Sequence, residues 1–151
     1  MAVAHTFQHV SGGERFGKKL YANYPFIEPG ILVNLTSGSL CSPSSGSDAP
    51  FGYAFGLRYS IYRPTSKYFG LYEAMSVVHG VGKVLASSHF FIGGTMPAAG
   101  DTIYSAAGGL MDTTGTHHVG YCIRVEQRID PSGGTGTTQD LALIHYNLPV
   151  I

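Results

Sequence analysis

The segment Gly100-Asp101-Thr102-Ile103-Tyr104-Ser105-Ala106-Ala107-Gly108-Gly109-Leu110 decides the fold class. Pro97-Ala98-Ala99-Gly100-Asp101 supplies turn residues, and Asp101 can cap amides that the turn frees. Thr102 to Ser105 then alternate between a core and a surface side, and Ala107-Gly108-Gly109 connects them to a returning strand over residues 110–113. This is strand, turn, strand within fourteen residues, with no space for a helix.

The same grammar continues in both directions. Toward the C-terminus, residues 117–129 predict a long strand with Val119, Tyr121, Ile123 and Val125 on one face. Residues 130–140 (DPSGGTGTTQD) read as a flexible connector, and 141–147 as a last strand carrying Leu141, Leu143 and His145 on one side. Toward the N-terminus, strands are predicted over 31–35 and 39–41, with 42–50 (SPSSGSDAP) as a loop. Residues 51–62 form the clearest alternating run, broken by Arg63-Pro64. Short strands follow over 70–73, 75–78 and 80–85, with His79-Gly80-Val81-Gly82 as a bulge or bend, and another over 88–92. Residues 1–29 read as an extended arm, since Gly13 and Gly17 weaken a short helix over 13–20. About nine or ten short strands at this spacing predict an all-β fold, a small β-barrel or β-sandwich of antiparallel strands. The expected organisation is an extended N-terminal arm (1–29), a core (30–129), and a connector with a C-terminal tail strand (130–151).

Composition narrows the function. Only 12% of the 151 residues are charged, nine basic against nine acidic, so the formal net charge is zero. Such a surface has little electrostatic protection against association, which favours life inside an assembly. Nucleic-acid binding is not expected, because the single basic cluster is Arg15, Lys18 and Lys19. No basic-then-apolar leader opens the chain and no window approaches ~18 consecutive apolar residues, so neither secretion nor a membrane partner is expected. Cys41 and Cys122 lack metal-like spacing and read as buried thiols, with a disulfide between them as the lesser reading.

Sites of chemistry are not expected. His5 and His9 have ligand spacing but no third partner, and adjacent His117 and His118 would point to opposite faces of a strand. His79, His89 and His145 are isolated. No Gly-x-Ser-x-Gly elbow is present, the acids are scattered through turns, and the glycine-rich segments lack a phosphate-loop lysine. Catalytic, cofactor and metal sites are therefore all predicted to be absent. The remaining signal is aromatic. Tyr21, Tyr24 and Phe26 in the arm, and Tyr62, Arg63, Tyr68 and Phe69 around the proline turn, are candidate interface residues, because Tyr and Arg bury much area at low entropic cost.

Over residues 30–128 the chain resembles the capsid cement, or decoration, proteins of tailed bacteriophages. The resemblance rests on Gly30-Ile31-Leu32-Val33-Asn34-Leu35, on Gly52-Tyr53-Ala54, on Gly100-Asp101-Thr102-Ile103-Tyr104 with Ala107-Gly108-Gly109-Leu110, and on Val119-Gly120-Tyr121-Cys122. It implies a non-enzymatic virion protein, made in the host bacterial cytoplasm. Such a protein binds the capsid exterior, bridges neighbouring copies of the major capsid protein, and associates with other copies of itself, as a trimer in preference to a dimer. The competing expectation is a carbohydrate-binding β-sandwich module or head-fibre component, which would show an exposed row of stacking tyrosines. A small hydrolase would need a cleft holding His, Ser and Asp together.

Overall fold

The computed structural model describes residues 6–15, 20–22, 28–35, 40–57, 74–129 and 136–149. The longest strand is β6 (Ala74–Ser87), and its two edges organise the others. Along one edge run β1 (Phe7–Arg15) and then β2 (Leu20–Ala22); along the other run β10 (Thr138–Asn147) and then β5 (Gly52–Leu57). With β3 (Leu32–Leu35), β4 (Leu40–Pro43), β7 (Thr102–Ser105), β8 (Met111–Asp112) and β9 (His118–Ile129) these make one sheet in the order β2-β4-β3-β5-β6-β10-β9-β7-β8. β2 pairs with both β4 and β6, so β2-β4-β3-β5-β6 closes on itself, and the remaining strands continue as a curled half-barrel. All pairings are antiparallel except β2 with β4. The protein is thus all-β, as expected, and its described helical segments are only the 3₁₀ turns Ser88–Phe90, Ile92–Gly94 and Ala107–Gly109.

One core fills the curl. Tyr53 lies at its centre, its ring 5.4 Å from Phe7 and 5.5 Å from Tyr146, and its hydroxyl donates to Met111 Sδ at 3.1 Å. Leu32, Val33, Val77, Val84, Ile103, Val119, Cys122 and Ile144 complete the packing. Each large side chain so buried contributes about 1.5–3 kcal/mol relative to exposure. A smaller apolar cluster, Leu85, Leu141 and Leu143 with Ile123, lies on the opposite face of β6, β10 and β9.

Several local expectations change. The two strands read over 75–78 and 80–85 are one: Gly82 pairs with Tyr146, and Gly80, whose φ of +81° glycine tolerates, exchanges backbone hydrogen bonds with Leu148 and Pro149 just past the end of β10. The β1 partner absorbs the irregularity, slipping register between Gly12 and Glu14. Residues 88–92 are not a strand: two consecutive 3₁₀ turns there drive Phe90 and Phe91 into the core, and Phe91 meets Met111 in an isolated bridge. The residues read as an extended N-terminal arm contribute paired strands β1 and β2, and β1 runs through Gly13 to Arg15 as strand and not as helix. The last strand lies mid-sheet, between β6 and β9.

The face expected for Val119, Tyr121, Ile123 and Val125 is split. β9 slips register against β7 between Ile103 and Tyr104, and against β10 between Leu143 and Ile144. Each slip reverses which side the following residue faces. Val119 and Cys122 therefore enter the core, Ile123 joins the outer cluster, and Tyr121 is exposed beside His145.

Candidate functional site

Of the seven candidate interface residues, only Tyr21 has a described backbone, which pairs with Leu40 of β4 and Ala74 of β6. Tyr24, Phe26, Tyr62, Arg63, Tyr68 and Phe69 lie outside the described residues. Two other surfaces stand out.

The first is a ribbon. Val125 and Glu126 pair with Ala142 and Leu141, which still pair with Ala86 and Ser87 of β6, and past the end of β6 the β9–β10 pair continues alone from Gln127 with Asp140 to Ile129 with Thr138. On one face of it Glu126 accepts hydrogen bonds from Arg124 Nε (2.8 Å), Arg128 Nε (3.0 Å) and Arg128 Nη2 (2.8 Å), with Arg124 Nη2 at 2.6 Å. These guanidiniums hold the Glu126 carboxyl below the usual glutamate range. Residues 124, 126 and 128 share this face because strand side chains alternate, and the same alternation sends Val125, Gln127 and Ile129 to the other. That second face continues the core side of the sheet, since Val125 sits opposite fully buried Ala142. Yet Val125 is 38% and Ile129 73% exposed. The ribbon therefore carries a clamped ionic face and an opposite face on which exposed Val125 and Ile129 flank the polar pair Gln127 and Asp140. An isolated two-stranded ribbon is only marginally stable, so its cross-strand and ionic contacts matter.

The second surface is an open cleft of about 530 Å³ between the loop after β4 and the start of β5. Buried Pro50 and Phe51 form its floor, Leu35 and Pro149 add apolar lining, and Asn34 with exposed Asp48 and Ala49 forms its rim. Asn34 Nδ2 donates to Asp48 Oδ2 (3.2 Å), Ser45 Oγ donates to the same oxygen (3.0 Å), and Ser42 Oγ donates to Asn34 Oδ1 (2.9 Å). The floor is backed by His79, whose ring stacks on Phe51 at 4.9 Å. His79 Nδ1 lies 3.0 Å from the Pro149 carbonyl, which also accepts from the Gly80 amide. Far along the loop, the Ser47 carbonyl is held by His117 Nε2 at 2.9 Å.

His117 precedes β9, which begins at His118, and the two rings have separate partners, His117 the Ser47 carbonyl and His118 the edge of Tyr104. Among the described residues no group of three His, Cys, Asp or Glu could hold a metal ion. Nor is a helix among them long and apolar enough to cross a membrane. Cys122 is a free, buried thiol whose pKa is pushed up by burial and by nearby Asp101. Tyr53 and Tyr146 are buried, Tyr104 is half-buried and Tyr121 is exposed, so among the described side chains Tyr121 is a single exposed tyrosine and not a row. Sequence reading missed both surfaces. The ribbon lies half within what read as a connector, and the cleft within what read as a turn-rich loop; a carboxylate followed at once by Ala49-Pro50-Phe51 was the available signal.

No protein-family model, curated protein or solved structure matches this chain.

Proposed function

We propose that this chain is a non-catalytic assembly protein of a virion. It binds the outer surface of a phage capsid and bridges neighbouring copies of the major capsid protein. The single observation that carries this reading is the β9–β10 ribbon, where Val125 and Ile129 are exposed in the lone chain on either side of Gln127 and Asp140, on the face that continues the core side of the sheet. Two exposed aliphatic side chains set among polar ones suit a protein–protein contact, and the clamped opposite face keeps the element extended. The absence of net charge adds support, because such a surface is not protected from association. Self-association, as a trimer in preference to a dimer, belongs to the same proposal and is read by native mass. The test is addition of purified protein to expanded capsids that lack it. Saturable, stoichiometric binding at fixed lattice positions is the expected result, and its absence would overturn the reading.

A further inference from the structure

The cleft at Asn34, Asp48 and Phe51 lies apart from the ribbon and calls for its own occupant. We propose that it is a binding site for a neutral sugar, taking one pyranose ring at a time.

Three observations select that chemistry. The rim is a carboxylate set beside a carboxamide. Asp48 Oδ2 is already occupied by Asn34 Nδ2 and Ser45 Oγ, while Oδ1 accepts no hydrogen bond among the described residues, and Asn34 Nδ2 has a second hydrogen to give. The free capacity is thus one acceptor next to one donor. A sugar hydroxyl both donates and accepts, so a pair of neighbouring hydroxyls meets both demands. A guanidinium or ammonium satisfies only the carboxylate and leaves the amide hydrogen facing a cation. Second, among the described residues no Lys, Arg or His lines the cleft, so phosphates, sulfates and carboxylates find no counter-charge from them. Third, the floor and walls are Pro50, Phe51, Leu35 and Pro149, apolar surface for the C–H face of a ring, and the volume lies within the range of about 300–1,000 Å³ typical of small-molecule sites.

The site is also pre-organised. The Ser42–Asn34–Asp48–Ser45 chain of hydrogen bonds fixes the rim, the His79 stack fixes Phe51, and His79 with Gly80 anchors the carbonyl of Pro149. A rim already held in place loses little entropy on binding. The exposed tyrosine platform of the sugar-binding expectation plays no part in this site.

Saturation-transfer NMR on the full chain tests the site, using the methyl glycosides of mannose, galactose and glucose, N-acetylglucosamine, and N-acetyl-arginine amide as the cationic control. At least one sugar should receive transfer and shift the Asn34 side-chain amide signal, with millimolar affinity. Asp48→Ala should weaken that affinity by about tenfold or more, the factor that corresponds to about 1.4 kcal/mol. Ala49→Trp, a substitution at the exposed rim that leaves the hydrogen-bond network intact, should block binding by filling the mouth, and keeps the test decisive if Asp48→Ala perturbs the loop. Absence of transfer to every sugar would overturn the proposal. So would transfer unchanged in Ala49→Trp, or binding of the arginine derivative alone.

Discussion

At position 120 the main chain of β9 lies so close to β10 that an added methyl group would overlap the carbonyl oxygen of His145. Backbone meets backbone there, and neither side has a rotamer with which to yield. Gly120→Ala is therefore expected to destabilise by about 3 kcal/mol, lowering the melting temperature by about 10 °C in a thermal scan; an unchanged melting temperature would contradict the close approach. Gly82 is required for a related reason, since a methyl there would strike the hydroxyl of Tyr146, which crosses beneath β6 to within 3.4 Å of His9 Nε2. Burial pushes the Tyr146 hydroxyl up to about 12, and burial with Tyr146 nearby also raises that of Tyr53. Below about pH 10 both are protonated whether folded or not, so they confer no pH dependence. Above it the unfolded chain releases protons that the folded chain retains, and stability is lost as pH rises toward the folded values. Ultraviolet titration of the ten tyrosines should show a late fraction ionising together with loss of near-ultraviolet circular dichroism. Smooth ionisation of all of them with the fold intact would refute this.

Among the elements, the ribbon is the one whose integrity depends on charge. The Glu126 carboxyl lies below its usual range in the folded state, so its contribution is present above the ordinary glutamate pKa and disappears as pH falls through the lower folded value. Hydrogen exchange should show the amides near Arg124 to Ile129 losing protection in acid before those of β6 do. Glu126→Gln should remove this pH response, and high salt should blunt it because the pair is at the surface. Equal protection of ribbon and β6 across the acid range would count against the clamp. The elements also show what a sequence can reveal. Thr102–Ser105 and residues 141–147 of β10 could be read because short-range alternation and turn residues act locally, whereas 138–140, read as connector, belong to the same strand. The continuity of β6 could not, because Gly80 and Gly82 look like breaks until a partner strand and the Tyr146 hydroxyl give each a reason. The slips in β9 were equally hidden: a bulge is set by two neighbours competing for one strand, and no count of alternating residues contains that information. At the cleft, Asn34 and Asp48 are fourteen positions apart, and only the packing of β3 against the loop makes them one rim.

For the whole molecule, the proposed capsid contact separates from folding in a way that can be measured. Val125→Asp with Ile129→Asp places charge on a face that is exposed in the lone chain, so the melting temperature of the purified protein should change little. Binding to expanded capsids should fall sharply, because the same two carboxylates would then be desolvated at the contact. Undiminished binding would move the contact elsewhere on the protein. The fold has a different consequence during synthesis. β6 belongs both to the closed ring and to the half-barrel, and its partners along one edge, β5 and β10, lie before and after it in the chain. While the chain is being made, the half of that edge destined for β10 has no partner until residue 147 has left the ribosome, some sixty positions after β6 is complete. Such long-range pairing is slow by nature, so the nascent protein passes through an interval in which its most central strand offers an unpaired edge, and shortening that interval, not strengthening the finished core, is what would raise its yield.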